Sequence, residues 1–203
     1  MKNLFVVIAF VVFALLSCKE SNIKGIAYQV DEAVSEAAWK GSARDHFHIG
    51  SFKVTGSLTT KTDGIVNSGD FIIPISSIQD YDLTDPIRQQ LLDDLKSANF
   101  FNLALHPTAT FHLAHTSPYH GEDTTAIPGA NYLVAGDFTM VGQTHPLSFP
   151  AKISITADSL LVEAEFNLDR TKWGMDIYSD TSKPLYIYPD VKITLTVQAG
   201  KLK

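Results

Sequence analysis

Beyond residue 25 the hydrophobic pattern of the chain has a period of two. Ile26, Tyr28 and Val30 alternate with Ala27 and Gln29, and Phe52, Val54, Gly56 and Leu58 alternate with Lys53, Thr55, Ser57 and Thr59. The same alternation returns at Leu147, Phe149, Ala151, Ile153 and Ile155, and at Leu160, Val162, Ala164, Phe166 and Leu168. Val191, Ile193, Leu195 and Val197 end the series. A period of two places one apolar and one polar face on an extended strand. Turn residues separate the runs at Asp63-Gly64, Asn67-Ser68-Gly69, Gly121, Pro128-Gly129, Gly142 and Ala157-Asp158-Ser159. The pattern predicts eight or nine strands joined without helical crossovers. The fold class is all-β: an antiparallel sheet that closes into a barrel or folds over as a sandwich. Periodicity does not separate those two.

One stretch breaks the period. Asp85 suits an N-cap, Pro86 suits the first turn, and Ile87, Leu91, Leu95 and Ala98 fall on one stripe of a helix over about 85–98. Arg88, Gln89, Asp93, Asp94 and Lys96 occupy the other side, and Asn99 is placed to end the helix. A one-sided helix needs an apolar surface to lie on. The expectation is that it covers the sheet or a barrel end, with Phe100, Phe101, Leu103 and Leu105 packed beneath it.

The N-terminus follows different rules. Lys2 precedes an unbroken apolar run from Leu4 to Leu16, too short for the ~20 residues of a membrane span but suited to a secretory signal. Leu15-Leu16-Ser17 then leads into Cys18, the only cysteine. This resembles the lipobox of bacterial lipoproteins, which implies a signal peptide over 1–17, acylation of Cys18 and membrane attachment through it. Residues 18–24 form a polar tether and 25–200 the folded domain. Lys19, rather than an aspartate, follows the cysteine, which by the habit of such lipoproteins points to the outer membrane. The domain would face the periplasm or the cell surface. A lone cysteine leaves no disulfide, so the core must hold the fold.

The formal charge of −6, without basic clusters, argues against nucleic acid as a partner. The seven histidines show no metal-ligand spacing and no paired cysteines accompany them, so they read as surface residues and no metal site is expected. There is no G-x-S-x-G elbow, phosphate loop or dinucleotide motif, and no catalytic residues are assigned; the chain does not read as an enzyme. The aromatics carry more information. Trp39, Phe52, Phe71, Phe100, Phe101, Phe111, Phe138, Phe149, Phe166 and Trp173 mostly fall in the apolar phase of their strands. They either fill a core or line an apolar cavity, and composition serves both equally.

Six strings in order complete the reading: W-K-G at 39–41, G-S-F-K-V-T-G-S-L at 50–58, G-D-F-I-I-P-I-S-S-I at 69–78, L-K-S-A-N-F-F-N at 95–102, H-P-T-A-T-F at 106–111 and F-N-L-D-R-T-K-W-G at 166–174. Together they resemble the YceI-like family, especially the lipoprotein-type branch seen in Bacteroidetes-like bacteria. The resemblance implies a single antiparallel eight-stranded lipocalin-like barrel with one short helix near a barrel end. It also implies that the interior holds an isoprenoid quinone, a polyprenyl lipid or another long amphiphile; no other cofactor is implied. The lining expected on that basis is Trp39, Phe52, Phe71, Leu95, Phe100, Phe101, Phe111, Phe138, Phe166 and Trp173, with the head group near Arg170 or Lys172. Asp169-Arg170-Thr171 also reads as a structural ion pair at a strand end.

Two features depart from the resemblance: Asp94 stands where a histidine is usual, and the loop from Ser117 to Gly129 is long. The alternative to a lipid carrier is a filled barrel whose loops, Ser117 to Gly129 first among them, meet a protein partner. Oligomeric state is not legible from the sequence.

Overall fold

The computed structural model describes residues 25–202. The signal peptide expected over 1–17, Cys18 and the tether expected over 18–24 lie outside the described residues.

The strands are β1 (Ile26–Val30), β2 (Glu36–Ser42), β3 (Phe47–Lys53), β4 (Thr55–Thr60), β5 (Val66–Pro74), β6 (Gln79–Asp80), β7 (Thr108–Pro118), β8 (Tyr132–Met140), β9 (Gln143–Ile155), β10 (Ser159–Asp169) and β11 (Asp190–Lys201). One helix, α1 (Ile87–Lys96), lies in the excursion between β5 and β7. All ladders are antiparallel. The ring runs β1-β4-β5-β7-β8-β9-β10-β11 and closes by pairing β11 with β1.

Eleven strand segments make eight staves because two staves are broken and the two-residue β6 only adds to β3 from outside the ring. β1 and β2 both pair with β11, and β3 and β4 continue each other across the single residue Val54. At the break Ser35 substitutes for the ladder: its Oγ accepts the Gln198 N–H at 3.0 Å and donates to Gln198 O at 3.2 Å. Asp31 N–H donates to the same carbonyl at 2.8 Å. This seam joins the first stave to the last.

Alternation sorts the side chains. Leu160, Val162, Ala164 and Leu168 of β10 are buried, while Glu163 and Glu165 reach Lys152 at 3.2 Å and Lys192 at 2.6 Å on the outer face. Register defines two barrel ends. One carries the hairpins β4–β5 and β9–β10, the start of β1 and the end of β11; Tyr28, Thr60, Leu160 and Ala199 are buried there. The loop over 119–131 is also at this end, closed by Tyr119 N–H to Asn131 O at 2.9 Å. The opposite end carries two long connections, over 75–107 and 170–189.

The helix is shorter and less covered than its stripe predicts. It begins at Ile87, and Asp85 pairs with Arg88 at 2.8 Å instead of capping it. It ends at Lys96, with Ser97 rather than Asn99 at the cap. None of its residues is fully buried; Ile87 is 53% exposed and Leu105 72%. Only its last turn engages the barrel, where Leu95 packs against the core. There the chain folds back on itself, Phe101 N–H donating to Leu95 O and Leu103 N–H to Lys96 O, both at 3.0 Å. The covering of this barrel end is therefore the segment after the helix, not the helix face.

Candidate functional site

Inward side chains of all eight staves leave a cavity of about 140 Å³, lined only by apolar residues. Its aromatic wall comes from Phe52 of β3, Phe71 of β5, Phe111 of β7, Phe138 of β8, Phe149 of β9 and Phe166 of β10, with Phe101 reaching in from the excursion. Aliphatic residues such as Leu58, Val134, Ile153, Leu195 and Val197 complete it along the barrel axis.

The phenylalanines contact one another in sequence across the interior. Phe71 and Phe111 lie 6.3 Å apart between ring centroids, Phe111 and Phe149 5.8 Å, and Phe149 and Phe166 4.3 Å. Phe111 reaches Phe149 across the intervening strand because that strand has Gly136 between them. A Cβ at Gly136 would lie 2.7 Å from the Phe111 ring, so only glycine leaves room. Gly69 does the same for Phe71, whose ring lies 2.8 Å from where a Cβ would stand.

The two phenylalanines after the helix diverge. Phe101 lines the cavity and meets Phe52 edge-on, centroids 5.3 Å apart. Phe100 is buried but faces away from the cavity lining, against Tyr178 of the second connection at 6.4 Å. Residues 75–107 and 170–189 are thereby tied together over the same barrel end.

Six of the expected lining residues stand in the wall: Phe52, Phe71, Phe101, Phe111, Phe138 and Phe166. Phe149 joins them; its apolar phase marked it in the sequence. Trp39, Leu95, Phe100 and Trp173 do not line the cavity. Trp39 is buried over Gly50, where a Cβ would lie 2.7 Å from its ring. Trp173 packs behind Phe138 at 5.4 Å, and its Nε1–H donates to Phe138 O at 3.0 Å. It buttresses the wall rather than facing the interior.

Arg170 is 4% exposed, and its guanidinium is spent on the protein itself. It donates to Met175 O, to Ser179 Oγ at 3.1 Å, to Ile187 O at 3.0 Å and to Tyr188 O at 3.4 Å. Burial draws its pKa down from the ordinary value, while Asp169, Asp176 and Tyr186 act in the opposite direction. Asp169 makes no ion pair with it. Instead the carboxylate caps the turn over Arg170–Trp173, accepting from Thr171 N–H at 3.0 Å and from Thr171 Oγ at 2.6 Å. Lys172, on the same turn, is exposed.

The site is thus an apolar chamber with no charged group in its wall. Residues 28–199 match the model of the YceI-like domain. The chain belongs to the YceI-like family. Among solved structures, BcnA of Burkholderia cenocepacia superposes with a TM-score of 0.67 at 18% identity, over 83% of this chain and 98% of that one. The YceI protein of Campylobacter jejuni superposes with a TM-score of 0.54 at 16% identity, over 100% of both chains. At these identities the likeness is one of fold. No curated protein matches the chain in sequence.

Proposed function

We propose that this YceI-like barrel binds the hydrocarbon chain of an isoprenoid quinone, a polyprenyl lipid or another long amphiphile, for carriage or sequestration in the bacterial cell envelope. The observation that carries the reading is the chamber, which no polar side chain enters. A polyprenyl chain offers no groups for directional recognition, so apolar walls are what its binding requires. Burying about ten methylenes contributes about 8 kcal/mol, the scale of a micromolar Kd before the cost of immobilisation. A filled barrel serving only as an interaction module has no use for such a chamber.

At about 140 Å³ the chamber falls below the ~300–1,000 Å³ of ordinary ligand pockets. It holds a short stretch of chain as it stands, and a longer one requires side chains to part. Phe101 is the movable one, since it arrives on a connection rather than on a stave. The head group then lies at the same barrel end, near the exposed Lys172. Arg170, with its donors engaged, stabilises the connection instead. Acylation of Cys18 would hold the domain at the membrane, with the outer membrane as its location.

Native mass spectrometry of the protein made in bacteria, with organic extraction of what co-purifies, tests this. A bound species of long-chain lipid mass is expected, lost in Phe101→Asp and retained in Lys96→Asp. A clean apo mass with no uptake of added isoprenoid quinone or polyprenyl phosphate overturns the proposal.

A further inference from the structure

The connection between β5 and β7 brings two carboxylates up against a histidine of the barrel wall. Asp80 of β6 stands opposite Gly50 of β3 and is 4% exposed. Its Oδ1 accepts the Leu83 N–H at 2.9 Å; its Oδ2 is buried and has no hydrogen-bond partner. Two residues on, Asp82 accepts the Ile49 N–H on Oδ1 at 2.7 Å and faces His48 Nδ1 with Oδ2 at 2.9 Å. One potential ligand atom from each of His48, Asp80 and Asp82 lies within 4.8 Å of the other two. Among the described residues no lysine or arginine pairs with either carboxylate. A buried carboxylate oxygen without a hydrogen-bond donor is costly.

We propose that His48, Asp80 and Asp82 bind one divalent cation of the zinc class, tying the helix-bearing connection to β3. The imidazole is what selects the class. Magnesium and calcium favour shells made entirely of oxygen, whereas zinc, cobalt and nickel accept one nitrogen with two carboxylates. Three protein ligands with a water in the fourth position is a common zinc arrangement. Tetrahedral zinc spaces its ligand atoms ~3.4 Å apart. The His48–Asp82 pair, now at 2.9 Å, opens slightly and Asp80 Oδ2 closes in. His48 and Asp82 keep about a quarter of their side-chain surface exposed, which leaves a path for the ion.

One rival explanation is local. Trp39 stands opposite Gly50, which stands opposite Asp80, and its Nε1–H is also buried without a partner. An indole donating to Asp80 Oδ2 would satisfy both atoms, but it supplies no charge and leaves the three-residue cluster unexplained. Spacing in the sequence hides the cluster, because His48 is brought to Asp80 and Asp82 only when β6 pairs with β3.

The test is to strip the protein with EDTA and titrate it by calorimetry with zinc, cobalt, magnesium and calcium chlorides. One zinc per chain is expected, with a raised unfolding temperature and a visible cobalt spectrum. His48→Gln and Asp82→Asn, both at partly exposed positions, should each weaken zinc at least ~10-fold, and Asp80→Asn should do the same. His112→Gln, which removes a similar but more exposed His–Asp pair with Asp70, should leave affinity unchanged. The proposal falls if zinc uptake does not saturate, if it persists in both His48→Gln and Asp82→Asn, or if magnesium or calcium binds as tightly. It also falls if zinc has no effect while Trp39→Phe and Asp80→Asn prove non-additive in stability, since the oxygen then belongs to the indole.

Discussion

Phe149 lies flat on Phe166, ring centroids 4.3 Å apart and planes 10° from parallel, at the place where their strands stop pairing. The β9–β10 ladder runs from Ile155 opposite Leu160 to Ala151 opposite Ala164, and Pro150 comes next. Proline has no N–H to continue it. Beyond that point β9 pairs only with β8 and β10 only with β11, so stacked rings bridge where hydrogen bonds do not.

Phe149→Ala and Phe166→Ala are therefore expected to destabilise the barrel by about 3–5 kcal/mol each. A double-mutant cycle in urea should recover a coupling of about 0.5–1.5 kcal/mol from the stack. Strictly additive losses would mean that the rings merely fill space.

Gly136→Ala places a methyl group 2.2 Å from the His112 carbonyl oxygen of β7 and 2.7 Å from the Phe111 ring. Overpacking of this kind costs about 1–3 kcal/mol. The substitution should lower the unfolding temperature and reduce lipid uptake together, because displaced Phe111 must move into the chamber. Unchanged stability would show that both the β7 backbone and the ring can give way.

Arg170→Lys distinguishes a structural clamp from a head-group ligand. Lysine keeps the charge but cannot serve the carbonyls of Met175, Ile187 and Tyr188 together with Ser179. The expected result is a loss of about 2–4 kcal/mol in denaturant unfolding. Lipid affinity in the fraction that remains folded should stay close to that of the parent. Intact stability with weakened affinity would return Arg170 to the head group.

Phe100 and Tyr178 join the two connections at the helix end, with ring centroids 6.4 Å apart. If they fasten the cover of the chamber, Tyr178→Ala should speed lipid exchange, by a few-fold or more in a stopped-flow transfer assay, without emptying the chamber at equilibrium. Equal exchange rates in parent and variant would place the opening elsewhere.

The staves were legible because alternation is a local property that burial enforces: every inward residue of β10 and β11 falls in the apolar phase. That phase states which face a residue occupies but not how far along the barrel axis it sits, so Trp39 could not be told from Phe138; Trp173 lies on the turn after β10, where strand phase no longer applies. Phe100 and Phe101 were inseparable for a related reason. They follow a helix and lie in a turn, where neither period applies, and hydrogen bonds from residues 101 and 103 back to Leu95 and Lys96 decide which ring points inward. The helix stripe misled because it assumed burial along its whole length, whereas only Leu95 engages the core. Arg170 looked like a ligand for a head group because its acceptors are backbone carbonyls, which no sequence displays.

The seam at Ser35 and Gln198 has a consequence in time as well as in space. Every other stave pairs with a stave adjacent along the chain, so the meander can assemble pair by pair, through short loops except at the two long connections over 75–107 and 170–189. The ring itself is complete only when residues 163 positions apart meet. Closing so long a loop comes late and slows folding in proportion to its entropy. Until then the apolar interior stands open along one edge, and on the proposed reading a nascent barrel could wrap around a lipid chain that the finished one would have to admit through its end.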